Sequence, residues 1–147
     1  MPADRIVTDT LTIDAGDEHR WRFVDLDRGA IVEPPDTAGW DLALRRFHLI
    51  PSGEIANLGV VPFDSIGVAP ETGYIRSQFS RDTSNAATDR WYTYSYFSHL
   101  LAPKPEVYVV RTRDGRYAKL QLLSYYCPGP TPGCVTFRYA YPMKAPS

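Results

Sequence analysis

Two segments late in the chain restrict the fold more than any other feature. "VYVVRTRDGRYAKLQLLSYY" (residues 107–126) and "VTFRYAY" (residues 135–141) alternate with a period of two. That period places successive side chains on opposite faces of a strand. Ala118, Leu120 and Leu122 share one face, with Lys119 and Gln121 on the other. In the second segment Val135, Phe137, Tyr139 and Tyr141 share a face, opposite Thr136 and Arg138. Asp114-Gly115 tolerates the positive φ angles of a tight hairpin turn. Residues 107–141 are therefore expected to form a three-stranded antiparallel meander.

The same period continues upstream. "DTLTID" and "HRWRFVDLDRG" put Leu11 with Ile13, and Trp21 with Phe23, on common faces, and Asp27-Arg28-Gly29 suits a turn. "WDLALRRFHLI" (Trp40 to Ile50) fits a helical stripe through Trp40, Ala43, Leu44 and Phe47. It fits a strand through Trp40, Leu42 and Leu44 equally well. Prolines bound the run on both sides and keep it short, which favours a strand. Residues 51–90, rich in Gly, Pro, Ser, Asn and Thr, read as long loops and short strands. With 147 residues, no repeat and no linker, the expectation is one all-β antiparallel domain over residues 1–147.

The two cysteines, Cys127 and Cys134, enclose three prolines and two glycines. Two thiolates with no neighbouring His are an incomplete zinc set, and the spacing is not that of a dithiol redox motif. The expected state is a disulfide clasping adjacent strands, contributing roughly 2–3 kcal/mol by loop entropy. Free buried thiols are the alternative. A disulfide implies an oxidising compartment. The stretch "MPADRIVTDT" lacks the apolar core of a signal peptide. With no export signal in this chain, the location is either cytosolic, which the bare start favours, or extracytoplasmic, at the outer-membrane surface or in the periplasm, which the cysteines favour; the second is the expectation. No apolar run approaches a membrane span. A net charge of -1 with scattered arginines gives no reason to expect nucleic acid as a partner.

Catalytic signatures are missing: no phosphate-binding glycine loop, no metalloprotease helix motif and no nucleophile elbow. "DAGDEH" (Asp14 to His19) lacks the ligand spacing of a calcium loop. A binding protein rather than an enzyme is expected.

"RWYTYSYFSHLLAPKP" is the second informative stretch. As a continuous strand it would line Tyr92, Tyr94 and Tyr96 on one face and Trp91, Phe97 and His99 on the other. A His beside aromatic rings can ligate haem iron while the rings pack on the porphyrin. The plainer reading is a strand whose aromatic face is core. His48, between Phe47 and Leu49, reads as a half-buried structural His. His19 lies among charges in a turn.

Together "TLTIDAGDEHRWRFVDLDRGAIV", "GWDLALRRFHL", "YVVRTRDGRYAKLQLLSYY" and "VTFRYAYPMK" resemble the HmuY-like haem-binding lipoproteins of Gram-negative bacteria. The resemblance rests on the order and spacing of the four pieces. Residues 51–88 match poorly. It implies an all-β domain with a haem pocket between projecting loops, exported and usually lipid-anchored. Such a protein captures haem in iron acquisition and passes it to an outer-membrane receptor or other surface protein. In that family two His side chains, or Met in some relatives, hold the iron. Here residues 51–88 contain neither His nor Met, so the first ligand has no counterpart. Counting from Trp91, the second falls on Tyr96; matching "FSH" places it on His99. The candidate ligands are His99, Tyr96 and His48, with His99 the foremost for haem iron. The alternative is a non-haem surface or periplasmic binding module on the same scaffold.

Overall fold

The computed structural model describes residues 7–32, 39–77, 85, 87–88, 91–95, 97–98, 100–128 and 131–146. The fold is built from antiparallel strands. In chain order they are β1 (Val7–Asp14), β2 (Arg22–Asp25), β3 (Ala30–Val32), β4 (Leu42–Arg45), β5 (His48–Pro51), β6 (Glu54–Asn57), β7 (Ile75–Arg76), β8 (Tyr92–Tyr94), β9 (Leu101–Pro103), β10 (Val107–Arg111), β11 (Tyr117–Tyr126) and β12 (Pro132–Tyr141). A 3-10 turn spans Phe63–Ser65. A six-stranded sheet has the order β1-β12-β11-β10-β6-β7. A four-stranded sheet runs β3-β2-β4-β5, and β8 pairs with β9.

The expected meander is present, with β11 paired to both β10 and β12. Leu120, Leu122, Val135, Phe137 and Tyr139 point from the large sheet into one core. They meet Val24, Leu26, Leu42, Leu44 and Leu49 from the small sheet. The opposite face of the large sheet is also covered. Val109 and Tyr117 pack with Ala69 and Met143, and Val107 packs with Phe63. Coverage on both faces explains why "VYVV" in β10 is apolar without interruption. It also explains why Gln121, expected outward, is buried. Its Oε1 accepts a hydrogen bond from Arg138 Nε at 2.8 Å.

Three local expectations change. The β10–β11 turn is one residue longer than Asp-Gly alone: Gly115 N–H donates to Thr112 O, Thr112 N–H to Arg116 O, and Gly115 takes φ 82°. This is the three-residue loop with glycine in the left-handed position. Trp21 and Phe23 do share a face, but it is the half-exposed one. The core face of that segment is Val24 and Leu26. "WDLALRRFHLI" is two strands, β4 and β5, with a turn at Arg46-Phe47. Arg46 takes φ 54° and is held there by its N–H to Ala15 O at 2.7 Å and its Nη1 to Gly16 O at 3.3 Å. Neither turn residue is a usual turn former, so the hairpin left no mark in the sequence.

Cys127 and Cys134 form the expected disulfide, with Cα atoms 4.8 Å apart, across the β11–β12 turn. At the opposite end of β10 and β11, Gly53 passes over Arg111. A Cβ on Gly53 would lie 2.2 Å from Arg111 O, so no larger residue fits.

Asp41 joins β4 to the β2–β3 turn. Its Oδ2 accepts the Leu26 N–H at 2.8 Å, and its backbone bonds Val24 and Ser52. The residue is 8 % exposed. Burial raises its carboxyl from 3.8 to about 6, opposed by the Leu26 N–H and reinforced by Asp25, Asp114 and Asp27. Folded protein thus holds this proton to higher pH than unfolded protein does. The group's contribution to stability is largest below about pH 4, falls between about pH 4 and 6, and is flat above. Asp41→Asn keeps an acceptor for Leu26 and removes the buried charge. We expect it to be about 1–2 kcal/mol more stable than wild type at pH 7.5, allowing for partial solvent screening, with the gap closing near pH 4. Urea unfolding across that range tests this, and parallel pH profiles would refute it. For the disulfide, Cys127→Ser with Cys134→Ser should lose about 2–3 kcal/mol in the same assay. Intact protein should gain the mass of two hydrogens on reduction.

Candidate functional site

β11 has ten residues, which at about 3.4 Å each span roughly 30 Å. One end carries the disulfide, the other the β10–β11 turn. The two ends differ in chemistry.

The disulfide end is aromatic. Trp91, 1 % exposed, donates its Nε1–H to Phe47 O at 2.7 Å and so ties the β4–β5 turn to the chain entering β8. Its ring meets Tyr92 at 5.3 Å and Tyr125 at 5.9 Å, both edge-on. Phe47 meets Tyr92 at 5.6 Å, and Tyr125 meets Tyr126 at 5.2 Å. The Tyr126 hydroxyl accepts the Leu101 N–H at 2.7 Å, fixing the β8–β9 pair against β11. Thr88 Oγ1–H donates to Leu49 O at 2.6 Å, anchoring the segment before Trp91 to β5. Burial pushes the Tyr125 phenol up, with the Arg46 guanidinium acting against it.

The strand expected through "RWYTYSYFSH" ends at Tyr94. Ser95 Oγ accepts the N–H groups of Phe97 and Ser98 at 3.3 and 3.2 Å, and Ser95 N–H donates to Leu100 O. These bonds reverse the chain. Phe97 is therefore fully exposed rather than on a shared face with the buried Trp91. Tyr94, Leu100 and Phe47 are exposed as well. Tyr96 and His99 lie outside the described residues.

His48 is described. It opens β5, opposite Arg45 in the ladder. Its ring lies 4.5 Å from Phe47 and 6.5 Å from Trp21. Arg45 sits 4.7 Å over Trp21. The cleft beneath His48, lined by Leu44, Phe47, Leu49, Trp91, Leu122 and Val135, has no room for a water molecule. Any planar ligand reaching His48 must come from its outer side. The sequence marked Phe47 and Trp91 as aromatic but not as hydrogen-bonded partners, because their contact joins positions 44 residues apart.

The opposite end is polar. Three cavities of about 300–420 Å³ surround residues 112–116. Sequence reading proposed no ligand there. Trp40 and Asp41 entered only within "GWDLALRRFHL", one of the four stretches that carry the resemblance. Among the described residues no group of three or more His, Cys, Asp or Glu could hold a metal ion, and no helix is long and apolar enough to cross a membrane.

Comparison with known proteins follows the same geometry. A family model described as HmuY protein matches residues 17–139. Among solved structures, a Bacteroides vulgatus protein provisionally described as a HmuY-like heme-binding protein superposes with a TM-score of 0.78 at 22% identity, over 93% of each chain. An apo HmuY analogue from Tannerella forsythia gives 0.83 at 18% identity, covering 95% of this chain and 98% of that one. A Bacteroides fragilis protein provisionally described as a lipoprotein gives 0.79 at 20% identity, covering 98% and 95%. At these identities the likeness is one of fold. No curated protein sequence matches the chain.

If Trp91 is the pin of the aromatic end, Trp91→Phe should cost about 1 kcal/mol for the lost hydrogen bond. Trp91→Ala should cost about 3–5 kcal/mol. Equal losses in chemical unfolding would show that the ring packing adds nothing beyond the hydrogen bond, and a Trp91→Phe variant as stable as wild type would show that the hydrogen bond contributes nothing of its own.

Proposed function

The chain belongs to the HmuY family, and from that membership we propose that it is an extracytoplasmic haem-binding protein. In this reading haem is cargo, captured and handed on to an outer-membrane receptor or other surface protein, with no chemical step. The observation that carries the reading is the gathering of exposed Phe47, Tyr94, Phe97 and Leu100 at the disulfide end. Phe47 packs on His48, and Tyr94, Phe97 and Leu100 flank Tyr96 and His99 in sequence. Exposed aromatic and aliphatic side chains cost solubility and suit a flat apolar macrocycle. An imidazole or phenolate supplies an iron ligand. His99 is the proposed axial ligand, with Tyr96 and His48 as the alternatives. The disulfide supports the location, since such bonds persist in oxidising compartments.

A second reading has its own support. Residues 51–88 carry neither His nor Met, so a paired ligand from that stretch is missing. A non-haem binding module on the same scaffold would use the exposed aromatic loops as a contact surface.

A haemin titration followed by absorbance separates the two. Haem binding predicts a saturable, sharpened Soret band in wild type that is lost or shifted in His99→Ala. An unchanged band in that variant, but an altered one in Tyr96→Phe or His48→Ala, would move the ligand and keep the function. No saturable binding at micromolar protein would overturn the haem reading and favour the second.

A further inference from the structure

The polar end holds a cavity of about 300 Å³ lined by Asp25, Trp40, Asp41, Arg113, Arg116 and Tyr141, among others. It is roughly the length of β11 away from the aromatic end. Asp25 and Asp41 are both nine-tenths buried. Asp25 is already engaged: Oδ1 accepts the N–H groups of Asp27 and Arg28, and Oδ2 faces Arg28 Nε at 3.4 Å. Asp114 is engaged by Arg116 at 3.6 Å and by the Thr112 hydroxyl.

Two groups of opposite sign are less committed. Asp41 directs one carboxylate oxygen to Leu26 N–H. Arg113 lies over the Trp40 ring at 5.3 Å. Stacking of this kind orients a guanidinium while leaving its in-plane N–H donors for another acceptor. Trp40 is itself steadied edge-on by Phe23 at 5.1 Å. Buried acid in the cavity wall, an exposed guanidinium and the indole it covers form a small site of mixed charge. A macrocycle is too large for it. A lone anion would meet the carboxylates, and a lone cation would meet Arg113 and Arg116. A ligand bearing both charges satisfies both sides.

We infer that the Trp40–Asp41 cavity binds a small zwitterion of the α-amino-acid class, its ammonium toward Asp41 and its carboxylate toward Arg113. The inference does not depend on haem binding. It gives the chain a second, polar ligand site at the end opposite the aromatic loops. It also gives a reason for keeping a carboxylate that weakens the fold: costly buried charges concentrate at functional sites.

Calorimetric titration with L-leucine, L-lysine and L-glutamate tests it, with N-acetyl-leucine, leucine amide and D-glucose as comparators. Saturable binding of at least one amino acid is expected, weakened about tenfold or more in Asp41→Asn and in Arg113→Gln. N-acetyl-leucine and leucine amide, each lacking one charge, should bind about as poorly. Unfolding midpoints of both variants verify that they are folded, and their haemin response should match wild type. The inference fails if no amino acid binds, if both variants bind as wild type does, or if only glucose binds. Because the haemin titration reads the other end, either site can fail without the other.

Discussion

The antiparallel ladder between β11 and β12 is the constraint on which the remaining structure depends. Register from Lys119 opposite Ala140 to Leu122 opposite Phe137 sends one apolar row from each strand into the same core. The outer edge of β12 takes β1, and that of β11 takes β10. The small sheet packs on the row so formed. Slipping this register by one residue would turn Phe137 and Tyr139 to the other face and leave Val24, Leu42 and Leu44 without partners. The disulfide sits at one end of the ladder and the polar cavities at the other. The ladder is what separates two chemically different surfaces by the length of a strand.

That ladder was also the most legible part of the sequence. Long strands with one dominant buried face alternate openly, as in residues 117–126 and 135–141. Where burial is two-sided the pattern fades. β10 is apolar without interruption, the stretch holding β4 fits a helical stripe as well as a strand, and β6, four residues long between two partners, could not be told from loop. The Arg46-Phe47 turn escaped notice because its conformation comes from tertiary hydrogen bonds to Ala15 and Gly16 rather than from a turn-forming residue. Trp21 and Phe23 were correctly paired on one face. Their period could not say which face was the core. The cysteine pairing was readable because proline and glycine crowd a short span.

The candidate sites divide the same way. Aromatic residues near His48 and His99 are visible in one dimension. The Trp91–Phe47 bond that organises them joins β-turn to loop across the fold. Alternation carried through Phe97 as if the strand continued, whereas Ser95 gathers the next two N–H groups and reverses the chain. The polar cavity draws on Asp25, Asp41, Arg113 and Tyr141, four separate segments with no shared motif. Nothing short of the fold brings them together.

The pairing of β1 with β12 has a consequence for how the molecule is made. Val7 to Asp14 lie against Tyr141 to Cys134, so a sheet edge formed by the first strand waits for the last. Such distant pairing is slow, because a long loop must close before any contact compensates for it. A growing chain emerging from the ribosome carries β1 well before β12. Until β12 has been made, β1 has no partner in that sheet. That interval is a hazard for a chain whose apolar strands are not yet covered, because an unpaired strand edge in the nascent chain can pair with another chain before its own partner arrives.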